Sequence, residues 1–150
     1  MSLDDLYKEV ILDHYKAPRN KRDLPGATVS CHQNNPLCGD EITLHARLDD
    51  AAVAEVTFEG QGCSISQASA SMLTEAVAGL SLGEAGELTE RFRGMMEGRV
   101  DPDEDTFGDL MALKGVVKYP VRIKCAVLAW DVLQEALEDT SGRATGASPH

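Results

Sequence analysis

The stretch FEGQGCSISQASASML, residues 58–73, contains a change from one type of secondary structure to another. Before it, Ala54, Val56 and Phe58 alternate with other residues, which predicts a strand with one apolar face. From Ser64 onward the spacing becomes helical, and one side of the predicted helix carries Ile65, Ser69, Met72, Ala76 and Leu80. The glycines between the two patterns favour close backbone packing where strand meets helix. The stretch therefore predicts a sheet that packs against a long helix.

Towards the N-terminus, the sequence predicts an amphipathic helix and two more strands. Residues 2–15 place apolar side chains on one helix face, and Pro18 ends that helix. Strands are predicted at residues 28–33 and 42–48, and Asp49-Asp50 provides a turn before the strand at 54–58. Together the three strands form an antiparallel meander whose apolar face needs helices to cover it.

Towards the C-terminus, the patterns are mostly helical. A charged helix is predicted at about 84–96, a polar loop at 97–105, a short helix at 107–117, and a last helix that Pro120 opens. The predicted fold class is α+β, with a small three-stranded antiparallel sheet covered by about five helices. It forms a single domain, residues 1–138, and residues 139–150 have the small, polar composition of a disordered tail.

Charge and hydropathy exclude several classes of protein. A net charge of −11 argues against a nucleic-acid-binding domain, which is normally basic. No run of about 18 apolar residues is present, so a transmembrane helix is not expected. The N-terminal sequence is acidic and polar, unlike a signal peptide. We therefore expect a cytoplasmic protein, in which the four cysteines stay reduced.

Positive charge is concentrated in two basic clusters. One consists of Lys16, Arg19, Lys21 and Arg22, and the other of Lys114, Lys118, Arg122 and Lys124. If the two clusters meet in the fold, they form a docking patch for an acidic partner. The alternative is that both are solvated faces with no partner.

Cys38 and Asp40 lie in NPLCGD, residues 35–40, between the first two predicted strands. Asn35 and Pro36 initiate a turn, and Gly39 lets the backbone bend sharply. With one residue between them, the Cys38 thiolate and the Asp40 carboxylate can be directed at one point. A cysteine at an exposed turn is unlike most free cysteines, which are buried, so the turn favours a functional role.

Cys63 and Cys125 have different local contexts. Cys63 lies at the predicted start of a helix, where the helix dipole lowers a thiol pKa, and this suits a metal ligand. The alternative is a small residue packed under the helix start. Periodicity alone places Cys125 on the buried face of the last helix. However, Arg122 lies three residues earlier on the same side and can stabilise a thiolate, and Lys124 adds local positive charge.

The remaining cysteine and three of the histidines fit structural roles. Cys31 alternates with Val29 on a strand and is predicted to lie in the core. His32 and His45 have no carboxylate or cysteine at useful helical spacing. His14 completes the apolar face of the first helix, where it is expected to pack or to contact a partner.

Four segments together resemble the U-type iron–sulfur assembly family (IscU/NifU-like), and the match covers nearly the whole chain. LYKEVILDHYKAPRN, residues 6–20, is similar to the family's N-terminal helix. Its three cysteine motifs are matched in order by NPLCGD, GQGCSISQASASML and PVRIKCAVLAW. The resemblance implies the same α+β fold, and as a partner a pyridoxal-phosphate-dependent cysteine desulfurase that supplies persulfide sulfur. Downstream iron–sulfur assembly proteins are further expected partners.

Two departures from the IscU type resemble the SufU branch. Lys124 occupies the position where IscU-type scaffolds carry a histidine, and the chain has roughly twenty additional residues between Cys63 and Cys125, within the acidic segment 82–117. The branch implies zinc-dependent sulfur transfer. By motif position, Cys38, Asp40, Cys63 and Cys125 correspond to its zinc ligands and Cys38 to its sulfur acceptor. For sulfur transfer, Cys38 must leave the zinc ion. Arg122 is a candidate to hold the Cys38 thiolate once it is released, or to contact Asp40.

Ligand number alone leaves the bound group open. One zinc ion takes four ligands in tetrahedral geometry, and a 2Fe–2S cluster also takes four. Three thiolates and a carboxylate satisfy either, so the alternative function is a scaffold on which a transient 2Fe–2S cluster is assembled. A purely structural zinc site is the third hypothesis. An exposed Cys38 and an oxygen ligand fit it poorly, because structural sites are usually closed and built from cysteine and histidine.

Overall fold

A computed structural model describes residues 3–36 and 39–144, with the side chains of residues 3, 4, 104 and 140–144 left out of the description. Within these residues, the chain forms three strands, five α-helices and one 3₁₀ helix. In chain order the elements are α1 (Leu3–Lys16), β1 (Val29–Asn35), β2 (Asp40–Asp49), β3 (Ala52–Gln61), α2 (Ser64–Val77), α3 (Leu82–Met96), α4 (Glu104–Phe107), the 3₁₀ helix (Gly108–Lys118) and α5 (Pro120–Ala144).

The sheet is antiparallel throughout and has the order β1-β2-β3. Leu44 of β2 lies opposite Cys31 of β1 on one side and opposite Phe58 of β3 on the other. The alternating apolar residues of β2 and β3 form its buried face: Ile42, Leu44, Ala46, Val56 and Phe58. Helices α2 and α5 pack against the sheet. The predicted α+β class and three-stranded meander are confirmed.

The helical layer is joined through Trp130 of α5, which is fully buried. Its ring stacks on Phe92 of α3 with 4.6 Å between ring centroids. Its Nε1–H donates to Ser69 Oγ of α2 at 3.2 Å, and the Ser69 hydroxyl donates to the Ala126 carbonyl at 2.6 Å. Since a buried indole N–H needs a partner, this hydrogen-bonded pair fixes the register of α2 against α5.

His14 occupies the packing role that its place on the first helix predicts. It is buried, with Nδ1 2.8 Å from Ser71 Oγ of α2 and Nε2 2.9 Å from Asp109 Oδ2 of the 3₁₀ helix. One imidazole thus ties α1 to two other elements. The same contact brings the C-terminal end of α1 to the start of the 3₁₀ helix.

Two segments differ from their sequence-based predictions. The short helix predicted at 107–117 is largely a 3₁₀ helix, in which every third residue falls on one line. The sequence supplies such a line, and it is buried along its length: Phe107, Leu110, Leu113 and Val116. At the C-terminus, α5 continues to Ala144, beyond the domain boundary predicted at residue 138, and residues 145–150 lie outside the described residues. In the part of the chain that is described, no helix has the length and apolar character of a membrane span.

Candidate metal centre

Asp40 lies at the base of the hairpin between β1 and β2 and is fully buried. It is the first residue of β2 and pairs with Asn35, the last residue of β1. Gly39 precedes it with φ +72°, in the left-handed region that favours glycine, and donates its N–H to the Asn35 carbonyl at 2.9 Å. The turn chemistry of NPLCGD thus places a carboxylate inside the protein, where it needs polar partners.

Cys63 supplies the first of those partners. Its backbone N–H donates to Asp40 Oδ1 at 2.8 Å, and its Sγ lies 3.7 Å from Asp40 Oδ2. Cys63 is also the N-cap of α2, and its sulfur accepts from the Ser66 N–H at 3.5 Å. The helix start therefore directs a backbone N–H donor at the Cys63 sulfur.

Gly62 makes the contact between Asp40 and Cys63 possible. Its φ is +147°, and a Cβ built on it would lie 2.2 Å from Asp40 Oδ1 and 2.9 Å from Asp40 Cα. Any side chain at residue 62 would occupy the place of the carboxylate. The sequence indicated close packing at these glycines but not what packs there. The signal was the regular G-x-G spacing directly before the cysteine.

Cys125 completes the group from the first turns of α5. The residue is fully buried, as periodicity predicted, and its Sγ lies 3.8 Å from the Val121 carbonyl. Burial raises the pKa of the Cys125 thiol, and hydrogen bonding to Asp40 and Cys63 raises it further. A buried thiol held near a carboxylate and a second thiol cannot easily ionise without a cation to balance the charge.

The ligating atoms of Asp40, Cys63 and Cys125 all lie within 4.8 Å of one another. In a tetrahedral zinc site the donor atoms are about 3.5–3.8 Å apart, so a small closure would seat an ion. Two sulfurs and one oxygen form a donor set that zinc accepts. The residues present therefore fit zinc, and three of the four predicted ligands converge. Cys38 lies outside the described residues.

Arg122 is exposed at the rim of this group. Its guanidinium lies close to Cys63 and Cys125. The charge on Cys63 raises the pKa of Arg122, and a hydrogen bond to Cys125 raises it further. Helical spacing indicated Cys125 as a neighbour of Arg122 but did not indicate Cys63. Lys124 is exposed.

An apolar groove leads away from the metal centre. One cavity is lined by Cys63, Ser64, Tyr119, Val121 and Arg122, among others. It shares Ser64, Ile65, Lys118 and Tyr119 with a neighbouring cavity of about 400 Å³ under α1, which also borders Tyr7, Ile11 and Leu12. We call these two cavities together the α1 groove. Its apolar rim is exposed at Leu12 (43%), Tyr119 (61%) and Val121 (66%).

Sequence reasoning missed the α1 groove. Its signal was Leu12, an apolar residue off the predicted apolar face of the first helix. The two basic clusters do not combine there in the described part of the chain. Lys118 and Arg122 border the groove, whereas Lys16 lies at the end of α1 that contacts Asp109, at the opposite end of the 3₁₀ helix.

The sequence predicted structural roles for Cys31 and His45. The structure places Cys31 against the core and His45 beside a carboxylate. Cys31 is half-buried and packs against the core, close to the prediction. His45 is on the outward face of the sheet, within hydrogen-bonding distance of Ser30 and Glu59. Strand pairing brings the Glu59 carboxylate near His45. A search for carboxylates at helical spacing could therefore not find it.

Comparisons with known proteins identify the family to which the chain is similar. The family model described as "NifU-like N terminal domain" matches residues 6–147. The chain is 47% identical to the Zinc-dependent sulfurtransferase SufU of Bacillus subtilis (strain 168), over 94% of this chain and 95% of that protein. It is 42% identical to the Iron-sulfur cluster assembly scaffold protein IscU of Streptococcus pyogenes serotype M1, over 91% and 85%.

A solved structure extends the agreement to three dimensions. A protein of Fervidobacterium islandicum AW-1, described as an iron–sulfur cluster assembly scaffold for the SUF system, superposes with a TM-score of 0.82 at 34% identity. The match covers 91% of this chain and 99% of that one. The match over nearly the whole chain, together with the converging cysteine motifs, shows that the chain belongs to the NifU-like N-terminal domain family.

Proposed function

We propose that this protein is a zinc-dependent sulfur acceptor that takes persulfide sulfur from a cysteine desulfurase for iron–sulfur cluster biogenesis. The observation that carries the proposal is the convergence of Asp40, Cys63 and Cys125 beside an apolar groove. The 47% identity to a relative named as a zinc-dependent sulfurtransferase supports the choice of metal and activity. We place this activity in the cytoplasm.

Each residue has a distinct role in the proposal. Asp40, Cys63 and Cys125 hold the ion, which when bound keeps thiolates ionised at neutral pH and protects them from oxidation. Cys38 is the fourth ligand and the sulfur acceptor, and it is two residues from Asp40 in the chain. Asp40 is held in position by the Cys63 N–H at 2.8 Å.

The proposed reaction is a thiol exchange that needs no external oxidant. The Cys38 thiolate attacks the outer sulfur of the desulfurase persulfide. The S–S bond of the persulfide breaks, the desulfurase cysteine leaves as a thiolate, and Cys38 becomes the persulfide. Arg122 carries a positive charge beside the cysteines at every relevant pH, and its role is to stabilise the thiolate or persulfide of Cys38 during transfer.

The α1 groove is the proposed docking surface for the desulfurase. It combines apolar side chains with the cations Lys8, Lys118 and Arg122, in a chain that is otherwise strongly acidic. A partner segment with apolar and acidic side chains would complement it. Because the groove borders Cys63, a segment bound there would lie beside the metal centre. Downstream iron–sulfur assembly proteins would then receive the sulfur.

The direct test is replacement of Cys38 by alanine. We expect Cys38→Ala to lower sulfur transfer from a pyridoxal-phosphate desulfurase, followed with ³⁵S-cysteine, by about 100-fold or more, since the acceptor atom is gone (about 2.7 kcal/mol). Zinc should remain partly bound by the other three ligands. Cys31→Ala is the matched control, because it removes a cysteine that packs against the core instead of lying in the metal centre. Undiminished stimulation of the desulfurase by Cys38→Ala would contradict the proposal.

The scaffold alternative uses the same donors, and the identity to the Streptococcus pyogenes relative named as a scaffold favours keeping it. A carboxylate ligand is harder than a thiolate and would make a 2Fe–2S cluster labile and easily passed on. Anaerobic purification followed by metal analysis and an absorption spectrum separates the two functions. Brown protein with visible absorption supports the scaffold. Colourless protein with about one zinc per chain supports the sulfur acceptor.

A further inference from the structure

A second group of metal-ligating side chains lies on the outward face of the sheet, apart from the cysteine site. His45 Nε2 is 2.8 Å from Glu59 Oε1 and 3.6 Å from Asp23 Oδ1. All three donor atoms lie within 4.8 Å of one another. Nothing in the proposed sulfur chemistry uses these residues.

Strand register builds this cluster. His45 of β2 pairs with Ser30 of β1 on one side and with Thr57 of β3 on the other, so the three side chains form one row across the sheet. Glu59 lies two residues beyond Thr57 and therefore on the same face. Asp23 comes from the connection between α1 and β1, which is held to β3 where the Phe58 N–H donates to the Asn20 carbonyl at 2.9 Å.

The imidazole of His45 is oriented as metal-binding imidazoles usually are. Ser30 Oγ lies 2.7 Å from Nδ1, which leaves Nε2 directed at the two carboxylates. Hydrogen bonding at the other ring nitrogen is the usual way in which proteins fix a ligating histidine. Only 12% of the His45 side chain is exposed, against 71% for Asp23 and 53% for Glu59. The ring is thus held in place while the carboxylates can adjust around an ion.

Thr57 provides an independent sign that a polar occupant belongs here. The residue is fully buried directly opposite His45, and among the described residues none offers its Oγ1 a hydrogen-bond partner. A buried hydroxyl without a partner is costly and rare. A polar occupant beside His45, with the side-chain shifts that seating it requires, would provide the missing partner.

We propose that Asp23, His45 and Glu59 form a second divalent-cation site, of the kind that binds Zn²⁺ through one imidazole and two carboxylates. Donor atoms at about 2.0–2.1 Å from a tetrahedral zinc lie about 3.3 Å apart, and the distances of 2.8 and 3.6 Å bracket that value. With no sulfur ligand and two exposed carboxylates, the site binds more weakly than the cysteine site. An ion there fastens the connection between α1 and β1 to the sheet.

The test is a titration of full-length protein whose cysteine site has first been filled with one ¹¹³Cd²⁺ per chain, with further ¹¹³Cd²⁺ as the added ion, because cadmium would otherwise displace zinc from the thiolates. Nitrogen and oxygen ligands give a cadmium NMR resonance far upfield of that from thiolate ligands. We expect wild-type protein to show such a resonance and to bind one further ion. His45→Gln and Glu59→Gln should each weaken that second binding by about tenfold or more, as expected when a ligand is lost.

His32→Gln is the matched control, since His32 is an exposed histidine one row along the same face of the sheet. It should leave the second ion in place, and all three variants should keep the first ion in the cysteine site. The proposal is overturned if wild-type protein binds no second ion, or if binding survives both His45→Gln and Glu59→Gln. Equal loss in His32→Gln would also overturn it. None of these outcomes depends on sulfur transfer.

Discussion

Gly62→Ala is expected to weaken zinc binding strongly and to destabilise the protein. The added Cβ would lie 2.2 Å from Asp40 Oδ1, 2.8 Å from Asp40 Cγ and 2.9 Å from Asp40 Cα, so both the carboxylate and its backbone must move. A shift of that size separates Asp40 from the Cys63 N–H. We expect zinc affinity to fall by about 100-fold or more and the free energy of unfolding to fall by about 2–4 kcal/mol. Zinc competition with a chromophoric chelator and urea unfolding of the metal-free protein measure the two effects.

Gly26→Ala is the matched control for Gly62→Ala. Gly26 also has a positive φ, +82°, but no atom lies within 4 Å of the position that its Cβ would take. Alanine there meets backbone strain alone, about 1 kcal/mol, and should leave zinc binding unchanged. If Gly62→Ala bound zinc like the wild type, the contact of residue 62 with Asp40 would not be part of the metal centre.

Asp40→Asn is expected to separate metal binding from folding. Asparagine keeps the size of the side chain and the oxygen that accepts from the Cys63 N–H, but it replaces Oδ2 with an uncharged amide nitrogen. Zinc affinity should fall by about 100-fold or more, because an anionic ligand is lost. The metal-free protein should be as stable as the wild type or more stable, since Asp40 is fully buried and a buried carboxylate is costly to desolvate.

Asp131→Asn controls for loss of a carboxylate elsewhere. Asp131 is half-buried on α5 and forms an ion pair with Arg93. It does not belong to the group of metal-ligating residues around Cys63 and Cys125. Its replacement should alter stability modestly and leave zinc binding intact. A large loss of stability in metal-free Asp40→Asn, with zinc affinity retained, would show that Asp40 is a structural residue.

In the scaffold alternative, Asp40→Ala should instead retain a brown cluster longer than the wild type.

The sequence predicted the fold because its patterns are local. Alternation at Ile42, Leu44 and Ala46 requires only neighbouring residues to be read, and so does the change to helical spacing after Ser64. The sequence predicted a helix in this segment but not that it is a 3₁₀ helix, because periods of 3 and 3.6 residues are hard to distinguish over so short a segment. Residues 107, 110, 113 and 116 fit a period of three, but apolar residues between them, such as Met111 and Ala112, obscure that period in the sequence.

The candidate site was less predictable because its geometry is not local. Periodicity correctly placed Cys125 on a buried face, but only the tertiary fold shows that this face meets Asp40 and Cys63. The space left by Gly62 could not be predicted, since it depends on where the β1–β2 hairpin packs against the start of α2. The His45 cluster depends on strand register, which alternation leaves undefined until the pairing is known.

The ligands of the metal centre come from β2, the start of α2 and the start of α5, so Asp40 and Cys125 are separated by more than half of the chain. An ion that joins them acts as a cross-link across a very large loop. For a covalent link of that span, the lost freedom of the unfolded chain corresponds to about 4–5 kcal/mol in the chain-entropy model. The three ligands can meet only after the sheet has assembled with α2 and α5. Metal loading is therefore expected as a late step of folding, and chelation should accelerate global unfolding more than it alters the native shape.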